Sequence, residues 1–474
     1  MIKIYKKFKV ASPAVKASIV YLFANLILKG ISLISGPIFT RIMSLEQYGI
    51  VNTFMSWQNL IIVIVTLNLT QGVFNNGMLE FKENRDEFQF SLITVVTLLA
   101  CIYGFFTIIF IDRISTFLEL SPKLIFVMFM HFVFVTSYHI WNGRQRYEYK
   151  YKTVAVVMVL SAVLSLALGV TAVLFSRSDQ AANARIYMME GVNIVIGIYF
   201  YLCVAIRAKF RARLKYCIYA LKFNIPLLPH YLSMYVLSGS DRIMISKLIN
   251  MSATAIYSVA YTMASVINIF WQSTEAALSP WIYDKLEQGD TTAVKKITIK
   301  IIGLFGCLCL LCTLFAPEIM KILAPDEYSE GVYAMPSIAV GVYFTAVYSI
   351  YMRIELFYKK TVFSAIATGT AALINIILNY IFIPQYGFVA AGYTTMFSYA
   401  LLSLLHYANV KKCGCEKAID NKLIFIISCG IVVSSIMVSF LYKFIIVRYS
   451  LILLVLLFGL IKHKLIFATL KKIF

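Results

Sequence analysis

The amino-acid sequence predicts an all-α, polytopic integral membrane protein with about fourteen transmembrane helices. Hydrophobic residues make up 61% of the 474-residue chain and charged residues 14%, which lies outside the range of soluble globular domains. The apolar residues also form runs of ~20, the length of helix that crosses the ~30 Å hydrocarbon layer. The predicted spans are 17–40, 48–69, 89–111, 124–142, 153–175, 186–206, 223–246, 254–281, 301–317, 332–352, 361–383, 387–408, 423–441 and 449–467.

The net charge of +21 lies mostly at the two ends of the chain and in alternate loops between these spans. Cytoplasmic loops collect Lys and Arg, so this pattern predicts an even number of spans with both termini in the cytoplasm. Basic stretches such as 207–215 are short, and their expected partners are anionic membrane lipids. Binding to nucleic acid is not predicted.

A weak internal repeat predicts two lobes. The first span runs into residues 43–51 and the seventh into 251–259, at the same spacing within two sets of six helices. An even number of helices per repeat makes the two copies parallel. We therefore expect a six-helix N-terminal lobe at 1–206, a second six-helix lobe at 207–410 and an additional pair of transmembrane helices at 411–474.

Three prolines are expected to kink or break helices, because proline lacks a backbone donor. Pro37 lies within the first span, and Pro226 and Pro229 lie near the start of the seventh. Broken helices at corresponding places in two halves are typical of transporter binding sites.

An enzymatic function is not predicted, because every loop is too short to form a catalytic domain. The nine cysteines show neither a disulfide framework nor the spacing of a zinc site. The sequence also lacks the Gly-x4-Gly-Lys-Ser/Thr loop that binds nucleotide phosphates. No cofactor or metal is therefore expected.

Polar residues recur at helical spacing on one face of several spans, where they are costly unless they face a wet cavity or another helix. A central hydrated cavity is predicted. Simple helix–helix adhesion is the alternative, and it is favoured for the eleventh span taken alone. The eighth span carries Tyr261, Ser265, Asn268, Gln272, Glu275 and Ser279; the eleventh carries Ser364, Thr368, Asn375 and Asn379; the first carries Asn25, Lys29, Ser32 and Gly36.

Five charges lie inside the predicted spans: Lys29, Glu190, Asp241, Arg242 and Glu275. A charge in the membrane is rare and usually functional. Asp241 and Arg242 point ~100° apart on a helix, so each can meet a different neighbour. For Arg242, contact with cargo and a structural ion pair remain open alternatives. Glu275 could bind a coupling proton or pair with one of the two cations.

Several segments resemble the polysaccharide flippases of the multidrug/oligosaccharidyl-lipid/polysaccharide exporter superfamily. Residues 38–49 (IFTRIMSLEQYG) resemble the end of the first helix in that family, and residues 225–230 (IPLLPH) followed by 240–244 (SDRIM) resemble its seventh. Similar segments occur at 315–320 (FAPEIM) and at 375–387 (NIILNYIFIPQYG), which leads to 390–392 (AAG). The resemblance covers essentially the whole chain, roughly 15–470.

The resemblance implies a two-lobed transporter in the bacterial plasma membrane. It would use alternating access to move an undecaprenyl-diphosphate-linked oligosaccharide to the outer leaflet for capsule, O-antigen or exopolysaccharide assembly, with glycan polymerase machinery as a further partner. A peptidoglycan-precursor flippase is a close alternative. A multidrug cation antiporter is less favoured, since the first span carries Lys29 and no acid.

The cavity of such a protein needs cations for the diphosphate and amide or hydroxyl groups for the sugars. The candidates for cargo binding are Lys29, Arg41, Arg242, Asn25, Asn268, Gln272, Glu275 and Asn375. The candidates for ion coupling are Glu275 and Asp241.

Overall fold

The computed structural model describes residues 12–359, 362–414 and 416–463. Within these residues the chain is helical with no strand, and it divides into two compact units, Met1–Leu232 (unit 1) and Ser233–Phe474 (unit 2). Twelve helices are long and apolar enough to cross a membrane. The all-α polytopic architecture predicted from the sequence is confirmed.

The helices of unit 1 include six of these spans. They are α1 (Pro13–Ile42), α2 (Leu45–Thr66), α3 (Val73–Glu80), α4 (Arg85–Ile109), α5 (Ile111–Leu118), α6 (Pro122–Tyr147), α7 (Tyr151–Phe175), α8 (Ala181–Arg207) and α9 (Leu214–Asn224). Side chains fix where several begin: Ser12 accepts a hydrogen bond from the amide of Val15 and Ser44 from that of Gln47, which satisfies amides left unpaired in the first turn.

The helices of unit 2 begin near the boundary and continue towards the end of the chain. They are α10 (Leu228–Leu248), α11 (Met251–Glu287), α12 (Thr291–Leu314), α13 (Ala316–Leu323), α14 (Met335–Phe357), α15 (Val362–Tyr386), α16 (Phe388–Lys412), α17 (Asn421–Phe440) and α18 (Ile445–Ile461). At 37 residues α11 is about 55 Å long, well above the ~30 Å of hydrocarbon.

Two of the fourteen predicted spans, the seventh and the last, are not among the twelve long apolar helices. The seventh is interrupted by a 3₁₀ turn at Ile225–Leu227, where Pro226 lies, as the proline pattern predicted. The helix that follows, α10, carries Asp241 and Arg242 and is not among the twelve long apolar helices. The last span is the 17-residue α18, and its predicted end at 464–467 lies outside the described residues, as does residue 361.

Pro37 was expected to kink or break its helix; it does not break α1, which continues through it to Ile42, and a kink there stays a prediction. The side chains of Thr40 and Arg41 donate to the carbonyl oxygen of Pro37, at 3.2 and 2.8 Å.

The sequence placed the lobe boundary at 206/207, whereas the units meet at 232/233. The intervening α9 packs with unit 1 because its tyrosines join the aromatic core there. The ring of Tyr216 lies 4.8 Å from Phe81 and 5.7 Å from Phe88, and Arg213 just before the helix pairs with Glu87 at 3.0 Å. In unit 2, α17 and α18 pack against α12.

In each unit two spanning helices pack closely together, α6 with α8 in unit 1 and α14 with α16 in unit 2, and a glycine permits each contact. In unit 1 a Cβ at Gly197 on α8 would lie 2.7 Å from the backbone of Phe134 on α6. In unit 2 a Cβ at Gly392 on α16 would collide with Oγ of Ser337 on α14. Small residues at crossings are the usual basis of helix association in membranes.

Candidate functional site

Unit 1 presents an intramembrane cation on α1. Asn25 and Lys29 lie one turn apart on an exposed face, and neither makes a hydrogen bond or ion pair within the described chain. An unpaired ammonium within a span is stable only where it meets water or an anionic ligand. Arg41, at the end of the same helix, is exposed and donates to the carbonyl of Pro37. All three residues are exposed in this structure, and their part in cargo binding stays a prediction.

Arg242 in unit 2 does not form the structural ion pair that was one of its two predicted alternatives. Its guanidinium lies over the ring of Tyr261, 4.4 Å from the centroid, and donates to the carbonyl of Ser238 at 3.5 Å. No carboxylate in the described residues lies within ion-pair distance of it. The cation is held by an aromatic face and keeps donors available for a ligand.

Asp241, the residue before it, points into a fully hydrogen-bonded network. Its carboxylate accepts from the hydroxyl of Tyr257 at 2.6 Å, the amide of Asn379 at 2.8 Å and the hydroxyl of Thr395 at 2.8 Å. All four side chains are buried. Charge-assisted bonds of this kind stabilise a carboxylate that burial would otherwise penalise. The network ties α10 to α11, α15 and α16.

Asn375 belongs to the same network and does not line a cavity in this structure. It is 0% exposed, accepts from Ser240 at 3.3 Å and donates to Thr395 at 2.9 Å. The other polar residues of that stripe, Ser364, Thr368 and Asn379, are also buried. The stripe on α15 thus has the adhesive role that was favoured for this helix alone.

The polar face of α11 is partly open. Asn268 is half-buried and Gln272 is exposed, and neither makes a side-chain hydrogen bond within the described chain. Glu275, one turn further, pairs with Arg353 of α14 at 2.7 Å. The expected partners of Glu275 were Lys29 and Arg242, so the structure corrects this expectation.

Arg353 was missed by the sequence reasoning because the tenth span was predicted to end at residue 352. The helix continues to Phe357, and Arg353 faces α11 with a side chain 28% exposed. The Nη2 and Nε atoms of Arg353 both donate to Oε1 of Glu275, at 2.7 and 3.2 Å. A signal was present, since the polar line on α11 required a partner for Glu275.

Each unit by itself offers groups that suit an anionic, hydroxyl-rich ligand. Unit 1 has the exposed cation Lys29, and unit 2 has Arg242, which is not ion-paired within the described residues. Free carboxamides on α11 supply paired donors and acceptors. The two predicted ion-coupling acids, Asp241 and Glu275, are both hydrogen-bonded in this structure, and their coupling role stays a prediction.

Two family models match the chain. The model described as "Polysaccharide biosynthesis protein" matches residues 14–286, more than half of the chain, and the MatE model matches residues 226–381.

Relatives with similar sequences occur in archaea and bacteria. An uncharacterised membrane protein, MJ1068, of Methanocaldococcus jannaschii is 25% identical over 81% of this chain and 81% of its own length. The Lsg locus putative protein 1 of Haemophilus influenzae is 21% identical over 58% of this chain and 67% of its own. The probable low-salt glycan biosynthesis flippase Agl15 of Haloferax volcanii is 25% identical over 36% of this chain and 37% of its own length.

Solved structures share the fold. The lipid II flippase MurJ, in its inward closed conformation, matches with a TM-score of 0.69 at 15% identity, over 95% of this chain and 100% of that protein. An inward-facing multidrug resistance MATE transporter matches with a TM-score of 0.60 at 13% identity, over 81% of this chain and 94% of that protein. Since the family model covers more than half of the chain, the chain belongs to the polysaccharide flippase family of the multidrug/oligosaccharidyl-lipid/polysaccharide exporter superfamily.

Proposed function

We propose that this transporter moves an undecaprenyl-diphosphate-linked oligosaccharide from the cytoplasmic to the outer leaflet of a bacterial plasma membrane by alternating access. The sugar–diphosphate head cannot cross hydrocarbon unaided, while the polyprenyl tail can stay in lipid. The protein therefore has to provide partners for hydroxyl groups and for negative charge. Capsule, O-antigen and exopolysaccharide assembly are pathways that need this step, and a glycan polymerase is the expected downstream partner.

The observation that carries the proposal is the character of α1. This 30-residue helix contains the exposed Lys29 and Arg41 and no acidic residue. A cation at this place attracts a diphosphate, whereas a cationic drug would require a carboxylate there. The partly open cation Arg242 and the free carboxamides of Asn268 and Gln272 in unit 2 add to the same chemistry.

A peptidoglycan-precursor flippase remains the second candidate, because its cargo carries the same polyprenyl diphosphate and the MurJ structure has a similar fold. The two functions differ in the lipid-linked intermediate that accumulates when the protein is lost. This difference decides between them.

The first experiment deletes the gene in its natural host and identifies the lipid-linked glycan on the cytoplasmic leaflet by mass spectrometry. An oligosaccharide repeat unit should accumulate and disappear on complementation. Accumulation of the peptidoglycan precursor would support the second candidate. Accumulation of neither would overturn the flippase proposal.

The second experiment tests the cations by complementation with Lys29→Ala, Arg242→Ala. Each cation forms a charge-assisted contact with the diphosphate, and losing one such contact costs about 1.5–3 kcal/mol. Transport should fall at least about tenfold, since 1.4 kcal/mol corresponds to a factor of ten. The matched control is Arg177→Ala, Lys412→Ala, which removes two exposed cations elsewhere. Full transport by the first double variant, at normal membrane levels, would exclude both cations from the mechanism.

A further inference from the structure

A polar pocket of about 380 Å³ lies within unit 1, at the ends of α2 and α6. Its walls come from the turn after α2, the first turn of α3 and the last turns of α6. Pockets of about 300–1,000 Å³ are the usual size of small-ligand sites. None of its lining residues is acidic, and its polar side chains include Thr70, Gln71, Asn75, His139, Asn142 and Arg146.

The turn that carries Thr70 and Gln71 is fixed by a buried clamp. Asn224 of α9 is 0% exposed, and its side-chain amide donates to the carbonyl oxygens of Leu67 and Asn68 at 2.8 and 3.0 Å. Leu67 and Asn68 both have positive φ, at 48° and 51°. A conformation of this kind costs about 1–3 kcal/mol and persists only where surrounding contacts impose it. The pocket wall is therefore preorganised.

The last two arginines of α6 have opposite roles. Arg144 is paired with Asp86 and, at 2.6 Å, with Glu148. Arg146 lines the pocket, is exposed, and has no carboxylate partner within the described residues; its guanidinium lies 5.6 Å from the ring centroid of Tyr21. The positive charge of Arg146 is thus available to an anion, while that of Arg144 is neutralised.

A second observation points to a ligand. Asn142, which also lines the pocket, is only 7% exposed, and its Oδ1 atom is buried without a hydrogen-bond partner. Leaving a buried acceptor unpaired costs about 1–3 kcal/mol. A ligand hydroxyl would satisfy it, and the carboxamides of Gln71 and Asn75 offer further donors and acceptors. The ligand that suits these groups carries both hydroxyls and negative charge.

We propose that this pocket binds a glycosyl phosphate, with Arg146 contacting the phosphate and Asn142 a sugar hydroxyl. Under the predicted topology the pocket opens on the cytoplasmic side, from which cargo is taken up. The pocket is then an uptake subsite for the head of the lipid-linked cargo. This assignment of the occupant rests on the proposed function.

The binding test uses the purified full-length protein in detergent and three probes: N-acetylglucosamine 1-phosphate, N-acetylglucosamine and inorganic phosphate. Calorimetric titration should show the sugar phosphate binding at least about tenfold more tightly than either fragment, a difference of 1.4 kcal/mol. No binding of the sugar phosphate to the wild-type protein at millimolar concentration would overturn the proposal.

Variants locate the site. Arg146→Gln should weaken sugar phosphate binding about tenfold or more, and Arg146→Lys should weaken it less because the charge stays. The control is Arg177→Gln, whose side chain is 87% exposed and which lies outside the pocket; it should bind as the wild type does. Equal binding by Arg146→Gln and the wild type would overturn the assignment. Should Arg146→Gln fail to fold, Gln71→Leu, Asn75→Leu alters two exposed lining residues and tests the same point.

A final measurement distinguishes a free sugar phosphate from a lipid headgroup. In vesicles that contain undecaprenyl diphosphate-linked N-acetylglucosamine, the lipid should compete with the free probe, and Arg146→Gln should raise the cargo concentration for half-maximal flipping with little change in maximal rate. Without such competition the uptake role fails. Normal flipping by the wild type with no probe binding would refute the pocket alone, whereas probe binding that depends on Arg146 without flipping would refute the proposed function alone.

Discussion

Each unit joins two of its spanning helices with a histidine–carboxylate pair, α6 with α8 in unit 1 and α14 with α16 in unit 2, and the two pairs differ in place and burial. In unit 1, Nδ1 of His131 on α6 lies 2.5 Å from Oε2 of Glu190 on α8, with side chains 12% and 2% exposed. In unit 2, Nδ1 of His406 on α16 lies 2.9 Å from Oε2 of Glu355 on α14, with exposures of 0% and 1%.

The residue types are exchanged between the helices, and the positions along them differ. The pair of unit 1 lies in the first halves of its two helices, while the pair of unit 2 lies near their C-terminal ends. What the units share is the helix contact itself, with its glycine crossing at Gly197 or Gly392. The polar pair differs between the units in residue order, position and burial.

The largest loss of stability is expected in unit 2, where Oε1 of Glu355 and Nε2 of His406 are buried without hydrogen-bond partners. His406→Leu leaves the carboxyl group wholly unpaired, and breaking a buried pair in this way costs about 3–5 kcal/mol. The double variant Glu355→Leu, His406→Leu removes both polar groups and should recover most of the stability. Thermal unfolding in detergent measures the stability of the single and double variants, and His463→Leu, a change at an exposed histidine, is the control. A single variant as stable as the wild type would show that the pair is not structural.

A smaller effect is expected in unit 1. His131→Leu removes a partner of Glu190, but this pair is less completely buried than the pair of unit 2, with side chains 12% and 2% exposed against 0% and 1%, so the loss should be nearer the ~1–3 kcal/mol of an unsatisfied buried acceptor. The same unfolding assay compares it with His406→Leu. A loss equal to or larger than that of His406→Leu would contradict the difference in burial between the two units.

The smallest expected loss of stability concerns the attachment of α18 in unit 2. Arg448 of α18 donates to Glu318 of α13 at 2.5 and 2.6 Å and to the carbonyl of Leu314 at 2.7 Å. The hydrogen bonds from Arg448 hold the pKa of Glu318 below its ordinary value of 4.5, although burial opposes the shift. A lowered pKa stabilises the fold above the unfolded-state value, and the contribution disappears as pH falls through the folded-state value.

Glu318→Gln should therefore lower the unfolding temperature at pH 7 and make progressively less difference as pH falls below the ordinary pKa of 4.5 and through the lowered pKa of Glu318, where the wild-type carboxyl becomes protonated. Unfolding scans at several pH values check this. Glu330→Gln, at an exposed acid of the same unit, is the control and should show no such trend. A destabilisation by Glu318→Gln that persists unchanged at pH 3 would refute the ionic contribution.

Local sequence patterns were enough to predict most of the fold. Runs of ~20 apolar residues predicted the membrane helices, and Pro226 predicted the interruption of the seventh, since each signal acts within a single helix. The lobe boundary was harder to predict. It depends on where Tyr216 packs, and that is decided by Phe81 and Phe88, more than a hundred residues earlier in the chain.

The candidate site was only partly predictable for the same reason. Lys29, Asn268 and Gln272 were identified because a polar residue in a span is conspicuous without knowledge of its neighbours. The burial of Asn375 and the partners of Asp241 were not foreseen, since Thr395 comes from 154 residues away. A pattern on one helix shows that a face is polar, and only the neighbouring helices decide whether that face is wet.

The partial exposure of the Glu275–Arg353 pair sets what it costs to open. Its side chains are 20% and 28% exposed, whereas those of the Glu355–His406 pair are 1% and 0% exposed. Opening a partly exposed pair costs less than opening a buried one, because the protein desolvates each charge less. Within unit 2, Arg353 is therefore the cation that can more easily exchange its carboxylate for another anion.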